Sequence, residues 1–379
     1  HAFPLVPLAA ALRDAGHAVT FAAGTDVLDA IASTGLATVA AGGRLRDGFA
    51  VVRERHGITG WPPEPDAVRT LATEAFGDVL PRRTLVDLVP WLARERPDLV
   101  VAEVGNPGAA LAAATAGVPC VLHSFGRRPP REAPMFFRAN APVAALAAEH
   151  GVALGEGDPL GHAYLDICPP ALQGEPTGAE LAELPLRPTA WNPPVPSTPT
   201  PDPTRPWGYV TLGTAMGNAD VLRTAAAALA GLGLDVLVAG GSVDVAELDG
   251  LAGADGRVRV EPFVAQADLL GGAHPPALVV HHGGSGTTLG AAAAGTPQLF
   301  VPQGADQFFN AAAVTALGAG TTVDSAPSPE ELATIARVLL DDGPARAASR
   351  ALAAEIAAMP SPADVAAAVD RWGRPSAEP

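Results

Sequence analysis

The chain has 379 residues, of which 48% are hydrophobic and 17% charged, so it is long and apolar enough to fold into two domains of ordinary size. Its formal net charge of −16 at pH 7 argues against a protein that binds nucleic acid or an anionic membrane surface, because both functions need clustered basic residues. An anionic ligand must therefore be bound by local groups, against the overall field.

The first predicted element is a helix with no strand before it. Pro7 suits the first turn of a helix that follows His1-Ala2-Phe3-Pro4. A parallel α/β domain needs a strand ahead of such a helix, so we expect roughly ten to twenty further residues upstream of His1, holding a first strand and a Gly-rich loop.

Apolar strand-like runs then alternate with Ala-rich helical patterns through the first half. This alternation is typical of βαβ units and a parallel sheet. The predicted strands are Ala18–Ala22, Leu99–Val104 and Pro119–His123. The segments Gly42–Pro65 and Ser124–Pro134 are rich in Gly, Arg, Pro or Trp and have no clear periodicity, so we expect loops there.

A proline-rich segment follows. Residues 193–206 hold too many prolines for a helix or a central strand. We therefore expect a stiff linker over residues 191–206, between an N-terminal domain over 1–190 and a C-terminal domain over 207–360. Residues 361–379 are expected to hold a terminal amphipathic helix over Ala363–Trp372.

The second half repeats the same α/β pattern. A helix is predicted around Val221–Leu232, and the predicted strands are Gly208–Leu212, Leu234–Ala239, Arg257–Pro262, Ala277–His282 and Gln298–Val301. Two similar halves joined by one linker favour a fold of the α/β class with two Rossmann-like domains.

The most informative motif is Val279-Val280-His281-His282-Gly283-Gly284-Ser285-Gly286-Thr287-Thr288. A strand leads into paired histidines and a turn of small residues that opens a helix. Backbone N–H groups at a helix N-terminus favour an anion by about 0.3–1 kcal/mol. We expect a diphosphate here, bound by His282 and the residues Gly284, Ser285, Gly286 and Thr287, while His281 supports the turn.

A second loop completes the predicted site. Asp306 and Gln307 follow the strand that begins at Pro297-Gln298-Leu299, and their side chains suit sugar hydroxyls. The two loops together predict a nucleotide-sugar site. The rival dinucleotide fingerprint G-x-G-x-x-G fails at Leu289, where its third glycine should stand, and this disfavours an NAD(P)-dependent oxidoreductase.

These motifs, with the opening His1-Ala2-Phe3-Pro4-Leu5-Val6-Pro7-Leu8-Ala9, resemble those of the inverting family 1 glycosyltransferases of GT-B fold that decorate antibiotics and other natural products, such as the calicheamicin-type and macrolide enzymes. The resemblance covers nearly the whole chain. It implies two Rossmann-like domains whose parallel sheets face each other across a cleft, and a C-terminal helix that crosses back to the first domain. It also implies transfer of a sugar, of deoxysugar type, from a dTDP- or UDP-sugar to a hydrophobic aglycone.

Inverting transfer needs a base that takes the proton of the acceptor hydroxyl. Histidine suits this task because its pKa of about 6.5 lies near neutral pH. The resemblance assigns the role to His1. It also places Glu103 where the family carries an aspartate that orients the base, after Arg96-Pro97-Asp98-Leu99-Val100-Val101. A terminal His1 without function and a solvated Glu103 are the alternatives.

Further donor contacts are expected from the second half. Phe263, in Val260-Glu261-Pro262-Phe263-Val264, stands where the family most often has the tryptophan that stacks on the nucleobase, and backbone groups of Val264 would read the base edge. Thr214 lies at a strand-to-helix turn, and Thr287 matches a position that contacts phosphate. A core phenylalanine and a plain turn threonine are the alternatives for Phe263 and Thr214.

The acceptor side is predicted from apolar and strand-end residues of the first half. Phe49, Trp61 and Phe136 supply apolar surface for a bulky aglycone. His123 closes an apolar strand and would contact the acceptor or serve as an alternative base. The corresponding alternatives are a helix contact within the domain for Phe136 and, for His123, a strand-end histidine whose hydrogen bonds are satisfied within the protein.

No D-x-D motif or ligand-spaced cluster is present, so we expect no metal site and no cofactor apart from the nucleotide-sugar co-substrate. Cys120 and Cys168 give no disulfide framework, and no apolar run reaches the roughly 20 residues of a membrane span. We expect a cytoplasmic enzyme with small-molecule partners, no nucleic-acid partner and no stable membrane insertion. A homodimer stays open, as does a non-catalytic homologue that binds nucleotide sugar or activates a partner enzyme.

Overall fold

The computed structural model describes residues 2–59, 64–128, 138–174, 181–195, 198, 201–214, 217–251, 256–304, 306–369 and 372. The chain forms two compact units. Unit 1 comprises His1–Ile167, Gly174–Leu186 and Pro360–Pro379, and unit 2 comprises Cys168–Gln173 and Arg187–Met359. His1, Trp61 and Phe136 lie outside the described residues.

Unit 1 contains two parallel sheets. The first pairs β1 (Thr20–Ala23) with β2 (Ala37–Ala40). The second has four strands in the order β3-β4-β5-β6, which are β3 (Val100–Glu103), β4 (Cys120–His123), β5 (Ala163–Asp166) and β6 (Ala182–Pro185). Every residue of β4 and β5 is buried, as is usual where helices cover both faces of a parallel sheet.

The helices of unit 1 are α1 (Val6–Asp14), α2 (Thr25–Ala32), α3 (Leu45–His56), α4 (Pro65–Glu74), α5 (Leu80–Glu95), α6 (Pro107–Ala116) and α7 (Ala141–Glu149). A π-helical turn, Ala75–Val79, joins α4 to α5. The expected loop over Gly42–Pro65 is wrong, because α3 occupies its centre. That helix ends at Gly57, which takes the left-handed conformation with φ of 62°.

Unit 2 is built on a six-stranded parallel sheet in the order β12-β11-β10-β7-β8-β9. The strands are β7 (Trp207–Thr211), β8 (Asp235–Ala239), β9 (Val258–Glu261), β10 (Leu278–His281), β11 (Gln298–Phe300) and β12 (Gly320–Thr322). The helices are α8 (Ala219–Gly231), α9 (Gln266–Leu270), α10 (Ser285–Ala293), α11 (Gln307–Ala316), α12 (Pro329–Leu340) and α13 (Pro344–Ala358). This is the doubly wound order, in which the chain adds β8 and β9 on one side of β7 and then β10, β11 and β12 on the other side.

The proline-rich segment is part of unit 2. Asn192 Oδ1 accepts the backbone N–H of Ala267 at 2.9 Å, and Thr198 Oγ1 accepts that of Ala265 at 3.2 Å. Both bonds are made at the beginning of α9. The long segment of unit 2, Arg187–Met359, therefore begins about twenty residues before residue 207, where the sequence predicted the start of the C-terminal domain.

The chain ends in unit 1. The last helix, α14 (Pro362–Ala366), contacts α1 and begins with a capping box between Ser361 and Asp364. It is shorter than the predicted Ala363–Trp372. The side chain of Trp372 is 4% exposed, and its carbonyl oxygen bonds the ring of His162.

No helix within the described ranges is long and apolar enough to cross a membrane.

Candidate functional site

The centre of the unit 2 sheet is where a ligand is expected. β7 and β10 are hydrogen-bonded neighbours, but the strand that follows β7 lies towards one edge of the sheet and the strand that follows β10 lies towards the other edge. Ligands of doubly wound sheets bind outside the carboxyl ends of such strands. Here the two carboxyl ends carry Gly213 and Thr214 after β7, and the turn from His282 to Gly284 after β10.

His281 shapes the turn after β10. Its fully buried ring accepts the N–H of Gly283 on Nδ1 at 3.2 Å and donates from Nε2 to Gln298 Oε1 at 2.9 Å. Burial lowers the pKa of His281 to about 3, so the ring stays neutral in this one tautomer. Gly283 has a φ of 96°, a conformation that L side chains rarely adopt. His281 therefore supports the turn.

The turn opens α10 with its N–H groups free of helical partners. Gly284 is the N-cap residue, and the first helical bond runs from Thr288 N–H to the Gly284 carbonyl at 3.0 Å. The N–H groups of Ser285, Gly286 and Thr287 come before that bond and have no acceptor in the helix. They form a site for an anion at the positive end of the helix dipole.

The ring of His282 lies between two glycines. A Cβ at Gly213 would come within 2.7 Å of His282 Cε1, and one at Gly284 would overlap Nε2. Burial lowers the pKa of His282, while the negative charge of Asp306 opposes the shift. His282 Nδ1 is buried and has no hydrogen-bond partner in the described part of the chain. A neutral imidazole carries one N–H donor and one acceptor nitrogen.

Asp306 joins the second loop to this turn. Its Oδ2 accepts a bond from Ser285 Oγ at 3.0 Å and another from Asn310 Nδ2 at 3.0 Å. Asn310 Nδ2 also reaches the Gly283 carbonyl at 2.9 Å. A carboxylate next to the helix N-terminus is thereby fixed relative to the predicted diphosphate position.

Gln307 is engaged within the protein. Its side chain is buried, and its Oε1 accepts the backbone N–H groups of Gln303 at 2.7 Å and Gly304 at 3.1 Å. A glutamine in the first turn of a helix can cap the preceding backbone in this way. This oxygen holds the loop before α11, and the sugar contact of Gln307 stays a prediction.

Thr287 is also engaged within the protein. Its Oγ1 donates to Gln266 Oε1 at 3.1 Å, and Tyr209 donates to the same oxygen at 3.3 Å. The side chain was expected to contact phosphate, but its hydroxyl hydrogen is directed to Gln266. The backbone N–H of Thr287 is the part of this residue that lies at the helix N-terminus.

Phe263 and Thr214 lie on the surface of unit 2. The ring of Phe263 follows the edge strand β9 and is 43% exposed, so it is not a core residue. Val264 is buried among apolar side chains, and its carbonyl accepts Gln266 N–H at 2.9 Å. Thr214 is exposed and follows Gly213, whose φ is 72°.

In unit 1, Glu103 and His123 end neighbouring strands. They are register partners across β3 and β4 at the carboxyl edge of the sheet. His123 is 0% exposed, and its Nδ1 donates to the Ser124 carbonyl at 2.6 Å. Burial lowers the pKa of His123 to about 4, although the Ser124 bond and the charge of Glu103 both act to raise it. The ring of His123 presents no surface in this structure, and its acceptor contact stays a prediction.

Phe49 lies on α3 and packs within unit 1. Its ring meets Phe76 edge to face, with centroids 5.9 Å apart and an interplanar angle of 87°. It is half-buried against the small apolar cluster around Val52. Part of its surface is therefore used in helix packing rather than offered to a ligand.

The sequence did not predict the part that two residues play in the hydrogen bonds of this site. Gln266 accepts bonds from Thr287 and Tyr209, and Asn310 bonds three groups of the site. For Asn310 a signal exists, because it stands four residues after Asp306 on one helix face. Gln266 lies 21 residues before Thr287, and no local pattern predicts that pairing. Among the described residues, no group of three His, Cys, Asp or Glu side chains could hold a metal ion.

Comparison with known proteins bears on this site. Residues 226–371 match the family model described as "Erythromycin biosynthesis protein CIII-like, C-terminal domain". The chain is 35% identical to the L-demethylnoviosyl transferase of Streptomyces niveus, over 97% of this chain and 93% of that protein.

Two solved structures resemble the whole chain. Glycosyltransferase SnogD of Streptomyces nogalater superposes with a TM-score of 0.75 at 28% identity, over 98% of this chain and 96% of that one. Glycosyltransferase SsfS6 of Streptomyces sp. SF2575, complexed with thymidine diphosphate, gives a TM-score of 0.71 at 27% identity, over 97% and 96% of the two chains.

Proposed function

The chain belongs to the GT-B glycosyltransferases of antibiotic pathways, and from this premise we propose that it is an inverting, metal-independent enzyme that transfers a sugar from a dTDP- or UDP-sugar to a hydrophobic natural-product aglycone. Glycosyl transfer itself follows from the family. A deoxysugar is the proposed cargo. Family membership removes the oxidoreductase alternative, and no observation favours a non-catalytic homologue.

One observation carries the donor assignment. The N–H groups that open α10 and the ring of His282 meet at the point where the sheet reverses its strand order. The negative charge of a diphosphate would be met there by the helix dipole and by one imidazole N–H. This is the basis for proposing that no metal ion is needed, although the chain as a whole is acidic.

The spacing of the sheet suits a nucleotide. Phe263 follows β9, which lies three strand positions from β10, or about 14 Å at the usual strand separation. That is the length scale of an extended nucleoside diphosphate. An exposed ring at this distance from the diphosphate position would stack on the nucleobase, and Asp306 would accept a hydroxyl of the sugar.

Glu103 is the proposed orienting carboxylate for the acceptor base. It lies at the carboxyl edge of the unit 1 sheet, where side chains of a site collect. In the proposed reaction, His1 takes the proton of the acceptor hydroxyl as its oxygen attacks the anomeric carbon. The bond from that carbon to the diphosphate oxygen breaks, and the nucleoside diphosphate leaves with the bonding pair. Glu103 would stabilise the resulting imidazolium.

The proposal is tested by calorimetric titration of the purified protein with dTDP, UDP and NAD in the presence of a chelator. We expect saturable binding of dTDP or UDP, none of NAD, and the same affinity after metal is added back. Binding of NAD alone would overturn the proposal. A requirement for metal would overturn the metal-independent part and leave the donor assignment standing.

A further inference from the structure

Asn310 is a buried amide that bonds three different parts of the unit 2 site. Its side chain is 4% exposed on the first turns of α11. Nδ2 lies 2.9 Å from the Gly283 carbonyl, 3.0 Å from Asp306 Oδ2 and 3.2 Å from Ser285 Oγ. These oxygens belong to the β10–α10 turn, the N-cap of α11 and the first residue of α10. A single amide group thus joins the predicted diphosphate turn to the predicted sugar loop.

Three oxygens lie within hydrogen-bonding distance of Asn310 Nδ2, one more than the number of hydrogens that it carries. The amide has two N–H hydrogens, and Ser285 Oγ gives its own hydrogen to Asp306 Oδ2 at 3.0 Å. Oδ2 therefore accepts two hydrogen bonds, one from Ser285 Oγ and one from Asn310 Nδ2. Two bonds to one oxygen fix the plane of a carboxylate, because rotation about its Cβ–Cγ bond would break both.

We propose that Asn310 is a positioning residue for the donor sugar, and this rests on the proposed function. By holding Oδ2, Asn310 directs the other oxygen of Asp306, Oδ1, towards a sugar hydroxyl. By bonding the Gly283 carbonyl, it also sets the distance between that carboxylate and the diphosphate turn. Asn310 acts on the sugar through Asp306, whereas the nucleoside diphosphate is bound by groups that Asn310 does not replace.

The turn after β10 and the loop before α11 approach each other closely, which supports a positioning role for Asn310 between them. A Cβ at Gly283 would come within 2.8 Å of the Gln307 carbonyl oxygen, so the two backbones are nearly in contact. The Asn310 backbone N–H also donates to the Asp306 carbonyl at 3.1 Å. Main chain and side chain of Asn310 both hold Asp306, and a shift of one loop would move the other.

The test compares two ligands in calorimetry, dTDP and dTDP-glucose, with UDP and UDP-glucose replacing them if the wild type prefers uridine. For Asn310→Ala we expect the Kd of the nucleoside diphosphate to stay within about twofold. The Kd of the nucleotide sugar should rise about ten- to a hundredfold, the usual effect of losing hydrogen bonds to a charged group. Equal weakening of both ligands would overturn the proposal, since it would show a general role in the turn.

A double-mutant cycle shows whether Asn310 acts on the sugar by positioning Asp306 or independently of Asp306. If Asn310 acts through Asp306, then Asn310→Ala should add less than twofold to the loss seen in Asp306→Ala. Additive losses would overturn the proposal. Ser349→Ala is the matched control, because this buried hydroxyl donates to the backbone carbonyls of Ala345 and Ala319. Ala319 precedes β12, so it lies at the amino ends of the strands, whereas the site lies at their carboxyl ends.

Stability is measured in parallel by thermal unfolding. If Asn310→Ala fails to fold, Ser285→Ala removes the other bond to Oδ2 and should show the same preference for loss of the sugar over loss of the diphosphate. An unchanged Kd for the nucleotide sugar in that variant would overturn the proposal. If the wild type binds neither dTDP nor UDP, the proposed function itself has failed.

Discussion

His282 lies against Gly213 so closely that a Cβ at position 213 would come within 2.7 Å of Cε1 and 2.9 Å of Nε2. The loop after β7 thus packs directly against the imidazole of His282, which follows β10. The two residues lie 69 positions apart in the chain, and the neighbouring carboxyl ends of β7 and β10 bring them together. This relationship leads to the first prediction.

Gly213→Ala should displace the ring of His282 and weaken nucleoside diphosphate binding by about tenfold, the lower range for one hydrogen bond to a charged group. The matched control is Gly318→Ala. Gly213 and Gly318 have φ values of 72° and 73°, so an alanine causes similar backbone strain at both positions. A Cβ at Gly318 would meet no described heavy atom within 4 Å. Equal nucleotide affinity in the two variants would contradict the support role of Gly213.

His282→Ala should weaken dTDP or UDP binding by about ten- to a hundredfold, because the ring supplies the proposed N–H to the diphosphate. Calorimetry with and without a chelator gives the affinity. His274→Ala is the control, since His274 is exposed in the loop ahead of β10 and its backbone carbonyl, which accepts from Trp207 Nε1 at 3.1 Å, is kept in the variant. If the two variants bind alike, His282 does not contact the diphosphate.

Glu103→Gln should slow sugar transfer by about a hundredfold and leave donor affinity unchanged, because the neutral amide stabilises an imidazolium poorly. The measurement is kcat from nucleoside diphosphate release, set beside the Kd of the same donor. Glu54→Gln, an exposed change on α3, serves as the control for altered charge in unit 1. Unchanged turnover in Glu103→Gln would remove its proposed orienting role.

Buried neutral histidines predict a loss of stability in acid. The pKa of His123 is about 4 in the folded protein and about 6.5 when unfolded, so between these values only the unfolded state binds the proton. The free energy of unfolding should therefore fall as the pH drops from 6.5 towards 4, by about 1.4 kcal/mol per pH unit for each such histidine. His281, with its pKa lowered to about 3, adds a second contribution of the same sign.

Urea unfolding between pH 4.5 and pH 7.5 checks this slope. The variant His123→Gln has no ring to protonate, so its free energy of unfolding should depend less steeply on pH. The number of protons taken up on unfolding should be lower than in the wild type by about one. A slope that does not differ from that of the wild type would show that His123 does not remain neutral in the folded chain.

Local patterns predicted much of unit 2 because its strands are short apolar runs bounded by glycines. The strand predicted over Ala277–His282 corresponds to β10, and the helix after it begins where Gly284 and Ser285 indicate a start. In unit 1 the strands β2, β5 and β6 were not predicted. β6 contains Pro185 and only one half-buried residue, as suits an edge strand, and it therefore lacks an apolar pattern.

The polar network of the site needed three-dimensional contacts. Sequence reasoning placed Asp306, Gln307 and Thr287 at the site, because turn residues after parallel strands gather there. It could not tell which oxygen of each would be used by the protein itself. Gln307 Oε1 bonds two backbone N–H groups, and Thr287 Oγ1 bonds a residue 21 positions earlier. Such partners depend on loop conformation, which propensity does not fix.

The division of the chain between the units has a consequence for exchanging parts between related enzymes. The chain passes from one unit to the other at Ile167, Gln173, Leu186 and Met359, so no single junction divides it. A chimera joined only near residue 187 would combine an α1 from one parent with an α14 from the other, although these helices pack together. Hybrids should therefore keep a native α1–α14 pair only if residues 360–379 come from the parent that supplies the N-terminal part.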